Sequence, residues 1–387
     1  MKSVPEGNPL DMPDQARTAL LQPEPALPGP GTPQRTGAAT EGPSRPSRIY
    51  ALDGLRLLAA LTVVMFHYMA LTGRWPETDS RARFPLTYPV AAYGWLGVQL
   101  FFLISGFVIC MSSWGKPLQS FFVSRVVRLY PAYWFAVIAT TLVVAAIPGG
   151  LKPLPFSDVV TNLTMFQEPL GVSSADSVYW TLFAELRFYL LFAVVAWRGL
   201  TYRRVLFFCC AWAIASALVY QSDDSTLRML VMPDNSWCFI AGVAFYLMYR
   251  FRANLMLSGL VLFCLAASLP PTHRTWAHSQ ERLAHPMPSW PVPLIMALCF
   301  GVMALVATGR LSWIKWRWLP YAGALTYPLY LLHEYIGWEI IGALSPHVRP
   351  VPLVCGVIAL MLAVAWLVHR YVERPLGKRL KRGLERL

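Results

Sequence analysis

The sequence predicts an all-α, polytopic membrane protein with about ten transmembrane helices and both termini on the cytoplasmic side. Three observations predict it. Hydrophobic residues fill 56% of the 387 positions and charged residues only 14%; the mean hydropathy is +0.45, a balance outside the range of soluble domains. From Tyr50 onward, apolar stretches near the roughly 20 residues that a bilayer-spanning helix needs recur ten times. Between those stretches Lys and Arg are crowded into every second connection, as cytoplasmic loops require.

Taken in order, the predicted spans cover 50 to 71, 92 to 113, 130 to 147, 179 to 197, 204 to 220, 235 to 250, 255 to 270, 291 to 308, 321 to 343 and 351 to 370. Before the first lies a Pro-rich segment, residues 1–47, with no apolar run long enough to bury; its composition predicts a disordered cytoplasmic tail. It also lacks the apolar run of a cleaved signal peptide, so the mature chain is expected to keep it. An even number of spans returns the C-terminus to the side of the N-terminus. With the tail inside, the inner segments from Arg45 onward carry twenty basic residues and the outer loops eight, the latter beside nine acidic residues. A basic tail, residues 377–387, follows the last span on the cytoplasmic side.

The net charge of +13 is therefore a topology signal. Its cations are spread over short loops, which excludes a nucleic-acid-binding stripe. The seven cysteines all fall within apolar segments and have no CxxC or Cys/His spacing, so neither a disulfide framework nor a metal site is expected. No Walker loop, HExxH or GxSxG is present either. Chemistry must come from polar residues inside the membrane, where each ionisable group costs roughly 2.5 to 3.5 kcal/mol and needs a partner or a task.

The first span, ALDGLRLLAALTVVMFHYMAL, carries Asp53, Arg56 and His67. Eleven residues separate Arg56 from His67, which returns them to within about 20° of one helix face and sets them roughly 16 Å apart along the axis. Arg56 lies toward the cytoplasm and His67 deep in the outer half. In the fourth span, YWTLFAELRFYLLFAVVAW, Glu185 sits roughly 9 Å below the outer boundary, at a depth similar to that of His67. That depth permits a His67–Glu185 pair, in which the carboxylate would orient the imidazole and raise its basicity. His333 and Glu334 of the ninth span reach comparable depth. At the inner face, SRVVRLYPAYW spaces Arg125 and Arg128 at i, i+3. With Arg56 they form a cluster of guanidinium forks suited to the phosphates of a cytosolic ligand.

These segments resemble a known family. The Arg-x10-His element of LDGLRLLAALTVVMFH, the run GWLGVQLFFLISGFVI (Gly94 to Ile109), SRVVRLYPAYW, WTLFAELRFY, ALTYPLYLLH and the terminal VERP are similar, in order, to motifs of the integral-membrane acyltransferase-three family over residues 48–376. The resemblance implies an acyl-CoA-dependent O-acyltransferase, with acetyl-CoA the commonest donor. The expected acceptor is a hydroxyl, usually of a carbohydrate, at the outer side of a bacterial inner membrane. It implies His67 as the essential histidine, Glu185 as the family's acidic position, and Arg56, Arg125 and Arg128 at the acyl-CoA site. Two positions depart from the pattern: Gln99 stands where many relatives have Asp, and Thr181 where many have Ser. Some relatives continue into an extracytoplasmic esterase-like domain; if such a second domain takes part here, it is a separate extracytoplasmic transferase or absent, and the expected partners are the acceptor and the bilayer.

His67 would act as general base or as a transient acyl carrier, and the sequence leaves both open. A second reading makes the same residues a proton-coupled secondary transporter of an anionic solute, with His67, Glu185 and Glu334 as the relay. It leaves the cytoplasmic confinement of the arginines and the six motifs unexplained.

Overall fold

The structure, a computed structural model, describes residues 48–71, 75, 80–147 and 150–386; the predicted tail over 1–47 lies outside the described residues. Its longer helices are α1 (Tyr50–Met65), α2 (Gly97–Ser113), α3 (Leu118–Ala146), α4 (Trp180–Trp197), α5 (Tyr202–Val219), α6 (Ser236–Phe251), α7 (Leu255–Gln280), α8 (Pro291–Ala307), α9 (Leu319–Leu332), α10 (Glu334–Leu344), α11 (Pro350–Val368) and α12 (Arg374–Leu384). Among the described residues, eight helical stretches are long and apolar enough to cross a membrane. The predicted spans over 291 to 308 and 321 to 343 fall on α8, which is shorter, and on the pair α9 and α10. The chain is a polytopic all-α membrane protein.

Helix ends follow local chemistry. Asn254 caps α7 by accepting from the Leu257 amide at 2.9 Å, and Thr201 caps α5 through Arg204 N, each satisfying an amide that the helix leaves open. α8, α9, α11 and α12 place Pro in the first turn, where no N–H is needed.

Helix α6 is the centre of the bundle. Every residue from Ser236 to Met248 is buried, the pattern of a helix apolar all round, and α2 packs along it most extensively. Close approach needs small residues where hydrophobic driving force is absent. Here Gly106 and Gly242 face each other, and a Cβ on Gly106 would lie 2.2 Å from the Phe239 carbonyl oxygen. At the periphery, α5, α7 and α11 leave Phe207, Leu218, Leu262, Phe263, Leu360 and Leu367 exposed, as lipid-facing helices do.

Three boundaries differ from expectation in ways that matter for the site. The third span begins at Leu118 rather than 130, so Arg125 and Arg128 belong to the helix itself; half-burial of their stems lets the heads reach polar surroundings. The ninth span divides at His333, whose carbonyl also accepts the Tyr68 hydroxyl at 2.6 Å. The first span leaves α geometry at Phe66 and runs as a π turn, Phe66–Ala70, through His67.

Candidate active site

The π turn fixes His67. Such turns leave carbonyls without their usual α-helical partner, and the His67 carbonyl instead accepts the Trp338 indole N–H at 2.9 Å. The ring stands edge-on to Phe66, His333 and Trp338, and the residue is buried.

The surrounding acceptors decide the protonation of both histidines. His67 Nδ1 lies 2.9 Å from the Val63 carbonyl oxygen, and His333 Nδ1 lies 2.8 Å from that of Tyr330. A carbonyl only accepts, so in neutral rings each Nδ1 carries the proton. His333 Nε2 is then a lone pair, and it sits 3.1 Å from His67 Nδ1, where it shares that N–H with Val63. What remains is His67 Nε2, with its own lone pair free to take a proton.

Nε2 lies 3.6 Å from Glu334 Oε2, too long for a hydrogen bond. Glu334 is fully buried. Its Oε2 accepts from Ser177 Oγ at 2.5 Å, and its Oε1 stands 4.0 Å from Arg282 Nη2. Asp176, also fully buried, accepts the Val178 amide at 3.3 Å and the Tyr335 amide at 3.0 Å, pinning the loop before α4 to the first turn of α10. A cavity of about 230 Å³ opens here, lined by His67, Ser177, Gln99, Arg282, Trp95 and Trp180 among others.

A second cavity, about 80 Å³, contains Arg56, Arg128, Ser105, Thr181 and Glu185. Val98 and Tyr330 line both cavities, and the Tyr330 hydroxyl meets Thr181 Oγ1 at 2.9 Å in the shared wall. Glu185 Oε1 accepts from Ser105 at 2.5 Å and from Tyr189. Arg125 stands behind this wall: its guanidinium carbon is 5.8 Å from the centre of the Tyr189 ring and Nη2 donates to Ser112 Oγ at 3.2 Å.

The structure thus brings Arg56, Arg128 and Glu185 together, seats Arg125 one layer out, and places His67 in the adjoining cavity. The expected His67–Glu185 pair does not form. Ser177 and Val178 already line the His67 cavity, so α4 starts level with the imidazole, and Glu185, eight residues past Ser177, lies about 12 Å further along the span. The carboxylate beside the imidazole is Glu334. Sequence reasoning placed Glu334 at the right depth but missed Asp176, Ser177 and Arg282. The first two are loop residues just before a span, and Arg282 reads in sequence as an ordinary outer-loop charge.

Comparison with known proteins decides the family. A family model described as an acyltransferase domain matches residues 49–370. The chain belongs to this acyltransferase family. Relatives include the acyltransferase MdmB of Streptomyces mycarofaciens, 29% identical over 191 residues, 46% of this chain and 46% of that protein. Nodulation protein 10 of Rhizobium leguminosarum bv. viciae is 28% identical over 246 residues, 57% of this chain and 65% of the relative. The peptidoglycan O-acetyltransferase OatA of Listeria monocytogenes is 27% identical over 170 residues, 38% of this chain and 24% of the relative. The matches to the first two thus span between about half and two thirds of those relatives' length. No solved structure matches the chain significantly.

Proposed function

We propose that this acyltransferase moves an acyl group, acetyl in the simplest case, from cytosolic acyl-CoA to a hydroxyl of a carbohydrate-type acceptor at the outer side of a bacterial inner membrane. The observation that carries this reading is the pair of adjoining cavities, one holding the Arg56 and Arg128 guanidiniums and the other the free Nε2 of His67. A thioester with an anionic nucleotide end and an apolar acyl end suits such a sequence of surroundings.

In this mechanism Arg56 and Arg128, with Arg125 close behind, hold the phosphates of acyl-CoA through charge-assisted hydrogen bonds. The slender pantetheine arm passes Val98 and Tyr330 as the Tyr330 side chain swings away from Thr181. The acceptor enters the outer cavity, where Trp95 and Trp180 offer faces to a sugar ring. His67 Nε2 takes the acceptor's hydroxyl proton as the oxygen bonds to the thioester carbonyl carbon. Glu334, 3.6 Å from Nε2, stabilises the imidazolium as it forms. The tetrahedral intermediate then collapses with cleavage of the C–S bond, and Nε2 returns the proton to the departing sulfur. In the alternative acyl-carrier route, Nε2 itself attacks the thioester carbonyl carbon and the C–S bond breaks to release the coenzyme A thiolate; the acceptor oxygen then displaces the imidazole, and its hydroxyl proton passes to the thiolate. The apolar walls keep water from the thioester. Glu185, held by Ser105 and Tyr189, serves the donor end, setting the charge and position of the arginines around it.

Transfer of labelled acetyl from acetyl-CoA by the purified protein in detergent or vesicles tests the reading. His67→Ala is expected to lower the rate at least about 100-fold, the lower range for general-base catalysis, with folding unchanged. Acyl-CoA-independent, saturable solute flux in liposomes would replace the reading with a transporter.

A further inference from the structure

Past the last apolar span the chain gathers a cationic surface that the proposed reaction does not use. α11 runs into a π turn, His369–Glu373, and then into α12. Arg370, Arg374, Lys378 and Arg382 follow one another at four-residue intervals and, with Arg379 and Tyr371, line an open cleft of about 570 Å³. The opposite side of α12 is half-buried through Leu376, Leu380 and Leu384, with Gly377 buried; a Cβ on Gly377 would come within 3.4 Å of Val127 on α3. The cleft is therefore held out by packing on the bundle.

Its cations outnumber the acidic groups beside them, although Arg374 Nε donates to His369 Nε2 at 3.1 Å. Seven basic residues stand between His369 and Arg386 against two acidic ones. Glu373 is taken by His369 at 2.8 Å, and Glu385 pairs with Lys381, outside the cleft, at 3.5 Å. Depth and flank identify the ligand. Arg370 is two residues past the end of α11 at Val368, and Arg374 six, about 9 Å along a helix axis, which brings them to the headgroup layer beyond the hydrocarbon. The cleft opens beside Tyr371, 62% exposed, and Trp366 and Leu367 on the lipid-facing flank of α11. The Arg370 guanidinium carbon sits 5.7 Å from the centres of both the Trp366 and the Tyr371 ring, the arrangement of an interfacial anchor.

We propose that the cleft of Arg370, Arg374, Lys378, Arg379 and Arg382 is a binding site for the phosphate headgroup of an anionic glycerophospholipid in the leaflet that α12 faces. The site is separate from the donor cavity, with which it shares no lining residue. A headgroup bound there fastens α12, and through Gly377 the α3 helix that carries Arg125 and Arg128, to the membrane surface.

The test is displacement of a fluorescent phosphatidylglycerol from the full-length protein in detergent. Unlabelled phosphatidylglycerol should compete, whereas phosphatidylcholine, inorganic phosphate and coenzyme A at the same concentrations should not. The double variant Lys378→Gln with Arg379→Gln should weaken binding roughly 25-fold, about fivefold per cleft charge removed. Lys381→Gln with Arg386→Gln removes the same net charge outside the cleft and should change binding no more than about twofold. Equal weakening by the two variants would reveal diffuse attraction to a basic tail and overturn the site. So would equal binding of the zwitterionic lipid, or displacement by phosphate or coenzyme A, the last pointing to a soluble phosphate ligand.

Discussion

The two cavities that meet at Tyr330 handle charge in opposite ways. Around His67 nearly every polar atom is committed to a neighbour inside the protein: the two Nδ1 protons to carbonyls, Glu334 Oε2 to Ser177, both Asp176 oxygens to backbone amides. His67 Nε2 is left to act, beside Glu334 Oε1, which faces Arg282 at 4.0 Å without a hydrogen bond. In the other cavity the arrangement is looser, with Arg56 and Arg128 half-buried beside Glu185, and cations are offered to a ligand. On the proposed reading, one end places a lone pair and the other receives an anion. Variants at the two ends should therefore divide between kcat and KM.

The largest effect expected within this comparison is at Glu334. Glu334→Gln keeps an acceptor for Ser177 but removes the charge facing Nε2, and should lower kcat about 100-fold while the KM for acetyl-CoA stays within twofold. Steady-state acetyl transfer measures both. A rise in KM with unchanged kcat would place Glu334 on the donor side and erase the division.

Arg56→Gln should do the reverse. A charge-assisted hydrogen bond to phosphate is worth about 1.5–3 kcal/mol, so KM for acetyl-CoA should rise at least about tenfold with little change in kcat. Acetyl-pantetheine, which has no nucleotide phosphates, sharpens the test, because with that donor wild type and variant should behave alike. A KM effect that persists with acetyl-pantetheine would mean that Arg56 supports the cavity wall instead of gripping phosphate.

Between these in position, and smaller in effect, is His333→Phe, which fills the volume but removes the lone pair that shares the His67 Nδ1 proton. Val63 still holds the tautomer, so the expected loss in kcat is about tenfold. His333→Gln, whose side-chain oxygen can accept the same proton, should recover much of it. Loss without recovery would mark His333 as a packing residue.

The sequence made the bundle legible because a bilayer imposes length and polarity on each span; Arg56 and His67 line adjoining cavities, with His67 in the π turn past the end of α1. Glu185 was misplaced for a physical reason: depth was counted from an assumed outer boundary, whereas the Ser177–Tyr179 turn dips to the level of the imidazole before α4 begins. Nothing in the local sequence marks such a re-entrant turn. Glu334 was visible as a buried charge, but its partner is set by the packing of α10 against the π turn, a long-range fact. Arg282 comes from an outer connection and joins the site only through tertiary contact.

The smallest effects concern helix packing, where a glycine facing Asp53 and one on the exposed side of α11 should respond with opposite signs. Gly323 on α9 faces Asp53 on α1: a Cβ there would lie 2.5 Å from Oδ1 and 2.8 Å from Cβ of Asp53. A neighbour's Cβ is part of the helix backbone's own position, so turning the side chain does not relieve the clash, and α1 must move. Gly323→Ala should thus cost about 1–3 kcal/mol, the usual range for overpacking, and lower the apparent melting temperature in detergent by a few degrees. Asp53 precedes Arg56 by one turn, so the shift should also raise the KM for acetyl-CoA while sparing kcat. Gly356 on α11 has nothing within 4 Å of an added Cβ; Gly356→Ala gains helix propensity, roughly 0.5–1 kcal/mol, and should raise the melting temperature slightly with unchanged kinetics. If Gly323→Ala lowers kcat and leaves KM alone, the start of α1 is coupled to the His67 cavity, and the separation of the two ends fails at its mechanical root.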